Sequence, residues 1–280
     1  MEIALLDWGG EGPLALLHHA NGFSKALWGL VAEGIGSHYR VIAMDARGHG
    51  DSSHPEGPEA YAWHHFAEDV TAVAEHLAVS HGRVALGMGH SFGGTSMLGA
   101  AARRPELFER LVLVDPVIPP PPDDTPPERA EHVAELAEKA QRRRSDWGSR
   151  QEARRWFAER SFFQAWRPEA LDLYVQDGLR ERSDGSVELK CPGAVEAAVF
   201  AGSRGFDGFT LARGIAVPCL WLWASRGDFP RLVYEVLASS MADARVQDVD
   251  SGHLVPMERP DLIVQALSAV WAAEAGPLGK

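Results

Sequence analysis

Residues 87–96 read GMGHSFGGTS, directly after the apolar run RVAL, so that Ser91 stands between Gly89 and Gly93. With 28 Gly in 280 residues, a given serine is flanked in this way about once in a hundred by chance, so the local order must carry the argument. The spacing predicts a strand ending near Met88 and a helix starting near Phe92, with Ser91 in a tight, strained turn between them. Neighbours without a Cβ let strand and helix approach closely. The hydroxyl is then presented at the carboxyl edge of a sheet, beside helix N–H groups that favour developing negative charge.

A serine hydroxyl is a weak nucleophile until a base takes its proton, and the base needs a carboxylate to orient it. Of the twelve histidines, His253 in VDSGHLVPMERPD follows a predicted strand and precedes the final helix. Two carboxylates compete for the third role. Asp228 lies just past the apolar strand PCLWLW, and Asp115 ends RLVLVD; both occupy carboxyl strand edges. Chain order, serine then acid then histidine, favours Asp228. An oxyanion would be met by the backbone N–H of Phe92 and by that of Phe23, in the loop LLHHANGFSK where Asn21-Gly22 makes a sharp turn.

The elements that must position these residues alternate in type. Predicted strands begin at Glu2, Leu14, Tyr39, Arg83, Arg110, Pro218 and Ala244, and amphipathic windows lie near residues 25–36, 61–79, 92–103, 230–240 and 260–273. That rhythm belongs to a parallel sheet flanked by helices. GGEG between the first two strands predicts a hairpin and hence an antiparallel edge. From Pro116 to about Gly214 no core strand is expected, far beyond the ordinary connection of roughly 2–6 residues. Residues 116–213 are therefore expected to form an inserted unit, with residues 1–115 and 214–280 forming the core. The insertion opens on PVIPPPPDDTPP, continues as a charged helix from about Glu128, and carries Trp147, Trp156, Phe157, Phe162, Phe163 and Trp166. These aromatics either pack within the insertion or line a lid. Trp156, Phe162 and Phe163, with Asn21 and His90 beside the turn and the elbow, are the candidate pocket residues. Arg142, Arg143 and Arg144 fit a solvated helix end.

Four segments together resemble the α/β-hydrolase family: HANGF from His19, DARGHGDS from Asp45, GHSFGG from Gly89 and SGHLVPMERP from Ser251. The resemblance spans the chain apart from the details of the insertion. It implies an α/β fold with a mostly parallel eight-stranded sheet flanked by helices and a helical cap inserted after strand 6. It also implies Ser91 as nucleophile, Asp228 as acid and His253 as base, with Phe23 and Phe92 N–H groups at the oxyanion; Asp115 remains the alternative acid, since the family's acid can follow the sixth strand. HANGF departs from the shorter His-Gly-aromatic pattern commoner in the family. Asp45, Arg47 and His49 match a structural motif. Serine at the elbow disfavours the family's dehalogenases and classical epoxide hydrolases and implies an acyl-enzyme. The expected function is hydrolysis of a carboxylic ester or similar acyl bond of a small, apolar molecule. A carbon–carbon diketone hydrolase with the same triad is the alternative, and a low-turnover ligand receptor on the same fold a third.

Composition sets the remaining bounds. The net charge is −12, from 27 Lys and Arg against 39 Asp and Glu, which argues against nucleic acid as a partner. No apolar run is long enough to span a bilayer, and no basic-then-apolar leader is visible, so a cytoplasmic protein is expected. Cys191 and Cys219, lacking metal-ligand spacing, are expected to be reduced and packed. His18-His19 and His64-His65 do not share a face and make poor chelators; no cofactor or metal motif is found, and the oligomeric state is not legible.

Overall fold

The computed structural model describes residues 1–274. In the first half of the chain, β1 (Leu5–Asp7) and β2 (Leu14–His18) precede a 3-10 turn (Lys25–Trp28) and α1 (Gly29–Ile35). Then come β3 (Arg40–Met44), α2 (Trp63–His81), β4 (Val84–His90), α3 (Phe92–Arg103) and β5 (Leu111–Val114). After the long insertion the alternation resumes with β9 (Cys219–Ala224), α9 (Arg231–Ser239), β10 (Ala244–Val249), α10 (Val255–Glu258) and α11 (Pro260–Glu274). The insertion itself holds α4 (Pro127–Arg142), β6 (Asp146–Trp147), α5 (Arg150–Ala158), α6 (Pro168–Asp177), β7 (Leu179–Glu181), β8 (Val187–Leu189), α7 (Gly193–Ala201) and α8 (Gly208–Arg213).

The main sheet has seven strands in the order β1-β3-β2-β4-β5-β9-β10, parallel except for β1. This corrects two expectations. The sheet has seven strands where the resemblance implied eight, and the insertion follows the fifth strand in chain order. The antiparallel edge exists, but not as a hairpin: β1 pairs with β3, Leu5 opposite Met44. The reason lies in residues 8–13, which run alongside the start of β3. Trp8 N–H donates to Val41 O, Val41 N–H to Gly9 O and Arg40 N–H to Pro13 O, each at 3.0 Å. A Cβ at Gly10 or Gly12 would overlap the carbonyls of Tyr39 and His38.

Strand side chains alternate between two apolar layers, as the pleat requires. Leu16, Met44, Leu113 and Trp221 pack with Val70 of α2, Leu98 of α3 and Tyr234 of α9. Leu17, Met88, Val114 and Leu222 pack on the other face with Val31 of α1 and Ile263 of α11. Burial on both faces is why the inner strands read as unbroken apolar runs.

The insertion is not purely helical, since β6, β8 and β7 form a separate three-stranded antiparallel sheet. Its aromatic core holds Trp147, Phe157, Phe163, Trp166 and Tyr174, and is continuous with Phe23, Leu27, Leu254 and Met257 from the loops of the main sheet. Its last helix, α8, packs into the main core through Ala212.

Candidate active site

The peptide at Ser91 has φ 56° and ψ −124°, one of two positive-φ non-glycine residues among those described. That conformation costs about 1–3 kcal/mol and persists only where surrounding structure imposes it. Here the imposition is visible. Ser91 N–H donates to Val114 O at 3.0 Å, continuing the ladder with β5, while Gly94 N–H returns to Ser91 O at 3.0 Å as α3 begins. A Cβ at Gly89 would overlap the Gly93 carbonyl, and one at Gly93 the His19 carbonyl. The two glycines are the condition for so tight a passage from strand to helix.

The other positive-φ non-glycine residue is Asp115, at φ 41°. Its side chain is fully buried at the end of β5, and its Oδ2 accepts from His253 Nδ1–H at 2.7 Å. His253 Nε2 in turn lies 2.9 Å from Ser91 Oγ. Asp115 Oδ1 accepts from Ala224 N–H at 3.0 Å and stands 3.3 Å from the Tyr234 hydroxyl, which also donates to Pro116 O at 2.8 Å. Burial, together with the Asp115 carboxylate, pushes the Tyr234 phenol far above its ordinary range, so it stays a donor.

Asp228, the acid that chain order favoured, is corrected to an exposed position in the turn after β9. That turn offers Gly227 to the carboxylate instead; a Cβ there would sit 3.0 Å from Asp115 Oδ2. Ser91, Asp115 and His253 are brought together, and Asp228 is not. Phe229 packs against the His253 ring in a T-shaped contact, their centroids 5.3 Å apart.

For the oxyanion, Phe92 N–H is the first donor of α3, at a position without an intrahelical acceptor. Phe23 N–H closes a turn onto Ala20 O over a long 3.3 Å. That turn is held by buried imidazoles. Gly22 N–H donates to His49 Nε2 at 3.1 Å, and Ala46 N–H to His19 Nε2 at 3.0 Å. Both rings donate Nδ1–H to backbone carbonyls, His49 to Arg47 O and His19 to Ala20 O. Burial pushes His49 down to about 3 and His19 well below its ordinary value, so both stay neutral. Lys25 anchors the same loop, its ammonium 2.6 Å from Asp45 and 2.8 Å from Asp51. Burial opposes its charge, but the Asp45 carboxylate and the bonds to Asp45 and Asp51 outweigh that and hold it above the ordinary lysine range.

The five candidate pocket residues have defined surroundings, and His90 lines a small cavity with Phe23, Leu27 and Met257. Trp156 packs on Trp147 and Phe157 with Arg160 over its face, Phe163 is buried among Phe157, Trp166 and Tyr174, and Phe162 is 56% exposed. Asn21 donates to Glu196 O at 3.0 Å, and His90 is buried with its Nε2 on the His253 carbonyl. Arg142 is exposed as expected, whereas Arg143 turns inward to Glu196 and the Tyr174 hydroxyl. Tyr234, Lys25 and Glu196 were not singled out from sequence, since each meets its partner only through the fold. Among the described residues no cluster of His, Cys, Asp and Glu has metal-holding geometry, and no helix is long and apolar enough to cross a membrane.

A strand, a strained serine turn and a relayed histidine in this topology define an α/β-hydrolase. A sequence model of the alpha/beta hydrolase family matches residues 15–266, and the chain belongs to that family. It is 33% identical over 106 residues to the 2-(acetamidomethylene)succinate hydrolase of Mesorhizobium japonicum, covering 38% of this chain and 36% of the relative. Similarity to the N-formylmaleamate deformylase of Pseudomonas putida is 34% over 114 residues, 40% and 41% of the two chains. The chain thus spans less than half the length of these relatives. The solved structure of an E-2-(acetamidomethylene)succinate hydrolase superimposes with a TM-score of 0.79 over 95% of this chain and 94% of the other at 21% identity, a likeness of fold.

Proposed function

We propose that the chain is a serine hydrolase that cleaves an ester or similar acyl bond of a small substrate through an acyl-enzyme on Ser91. The observation that carries this reading is the unbroken relay from Ser91 Oγ through both nitrogens of His253 to Asp115. Nδ1–H donates to Asp115, so Nε2 is the free base. It takes the Ser91 proton as Oγ bonds to the carbonyl carbon, and the oxygen that gains charge is met by Phe92 N–H and by Phe23 N–H once it exchanges its long bond to Ala20 O. Collapse expels the alkoxide or amine, which leaves with the proton from Nε2. A water, deprotonated by the same nitrogen, then attacks the acyl carbon and frees Ser91 and a carboxylic acid. Asp115 holds the tautomer and stabilises the imidazolium without itself taking the proton.

The insertion acts as the cap in this reading. Its aromatic core continues into Phe23 and Met257, and Ser91 is only 7% exposed, which favours a small substrate. The similarity to a deformylase favours a second reading, in which the scissile bond joins acyl carbon to nitrogen. Chromatographic product analysis with a short aryl ester, an N-acyl compound and a β-diketone separates the bond classes. Ser91→Ala is expected to lower turnover by about 10⁴–10⁶-fold. Retention of most activity by that variant would end the proposal.

A further inference from the structure

His90 is the last residue of β4 and the neighbour of Ser91, and its side chain is almost fully buried. Its Nε2–H donates to the backbone carbonyl of His253 at 2.8 Å, with the two rings 5.1 Å apart. His253 lies in the loop between β10 and α10, and that loop is also held at residues before it. Gly252 N–H donates to Glu258 Oε2 at 2.8 Å, and Arg226 N–H to Ser251 O at 3.0 Å. These bonds, with those of Arg226 and Arg259 to Asp250 O, all precede His253. His90 reaches the residue itself, and does so from the strand that carries the nucleophile.

We infer that His90 is a positioning residue, which fixes the imidazole of His253 against Ser91 by tying the base loop to the nucleophile strand. This inference rests on the proposed serine-hydrolase reading and adds a residue to it. The chemistry of the clamp is suited to the task. Burial pushes His90 down to about 3, with the nearby His253 adding to the effect. A neutral donor can stand beside His253 without opposing the positive charge that the base gains in turnover. A sub-ångström relaxation of the base is enough to matter, since misplacement of about 1 Å costs roughly 10²-fold in rate.

The test compares His90→Gln, whose amide nitrogen reaches as far as Nε2, with His90→Asn, one bond shorter, and His90→Ala. Two readouts are taken: kcat and KM on 4-nitrophenyl acetate, and the rate at which a neutral fluorophosphonate labels Ser91. His90→Gln is expected to stay within about 3-fold of the parent. His90→Asn and His90→Ala are expected to lose about 10–100-fold in kcat and labelling rate, with KM within about 2-fold. Should His90→Ala fail to fold, the Gln and Asn pair still decides. Equal rates for Gln and Asn, whether both high or both low, overturn the inference while leaving the hydrolase reading intact. A parent protein that does not label at Ser91 overturns both.

Discussion

The Nδ1–H of His253 donates across 2.7 Å to the carboxylate of Asp115, a residue 138 positions earlier in the chain. The sheet order β4-β5-β9 explains the pairing. Asp115 ends the strand beside the one that carries Ser91, so both reach the same edge with one inter-strand spacing between them. Asp228 lies in the turn after the strand beyond.

Exchange of the two acids therefore separates them. Asp115→Asn, which keeps the shape but removes the charge and the tautomer control, should lower kcat on an aryl ester by about 10⁴-fold. Asp228→Asn, at an exposed position, should stay within about 3-fold. The reverse ranking in steady-state kinetics would return Asp228 to the relay.

Acid should loosen the fold before it titrates the carboxylates. Burial lowers His18 to about 4 and His49 and His90 to about 3, whereas in the unfolded chain each takes up a proton near its ordinary value of about 6.5. Between those values the unfolded state binds more protons. The stability these groups allow is thus complete above about pH 6.5 and is lost as pH falls, each contributing up to about 1.4 kcal/mol per unit. Urea unfolding at about pH 7 and pH 5 reads the slope, and His49→Gln should flatten it by one histidine's share. An unchanged slope in that variant would show that His49 is protonated in the folded state.

Arg143 and Glu196 form an ion pair, with 22% and 14% of their side chains exposed. The pair lies over the turn that carries Phe23, since a Cβ on Gly22 would come 2.9 Å from the Glu196 carboxyl group. Arg143→Met leaves that carboxylate unpaired and should destabilise the protein by up to about 3–5 kcal/mol, much of which Arg143→Met with Glu196→Gln should restore. Chemical denaturation of the single and double variants checks this. Equal loss in both would mean that packing of the guanidinium, and not its charge, is what stabilises.

The fold and the strained serine turn were legible in the sequence for specific physical reasons. Strands buried on both faces leave continuous apolar runs, and a serine at φ 56° needs bare neighbours, which the glycines at 89 and 93 supply. Which carboxylate meets His253 was not legible, because the order serine, acid, histidine is satisfied by Asp115 as well as by Asp228. Only the lateral order of strands decides it. Pairing of β1 with β3 was hidden for a similar reason: GGEG marks a turn but not which strand the chain turns beside. Arg143 looked solvated at a helix end because its partner Glu196 lies 53 positions further on. The aromatics of the insertion carry no period that separates an inner from an outer face, and most of them pack on one another.

The central claim is that Ser91 carries the acyl group. Intact-protein mass spectrometry after a slowly hydrolysed aryl ester, followed by peptide mapping, tests it directly. One acyl mass on the peptide containing Ser91, absent in Ser91→Ala and reduced in His253→Ala, is the predicted result. An acyl mass that maps to any other residue, or turnover that persists in Ser91→Ala, would contradict it.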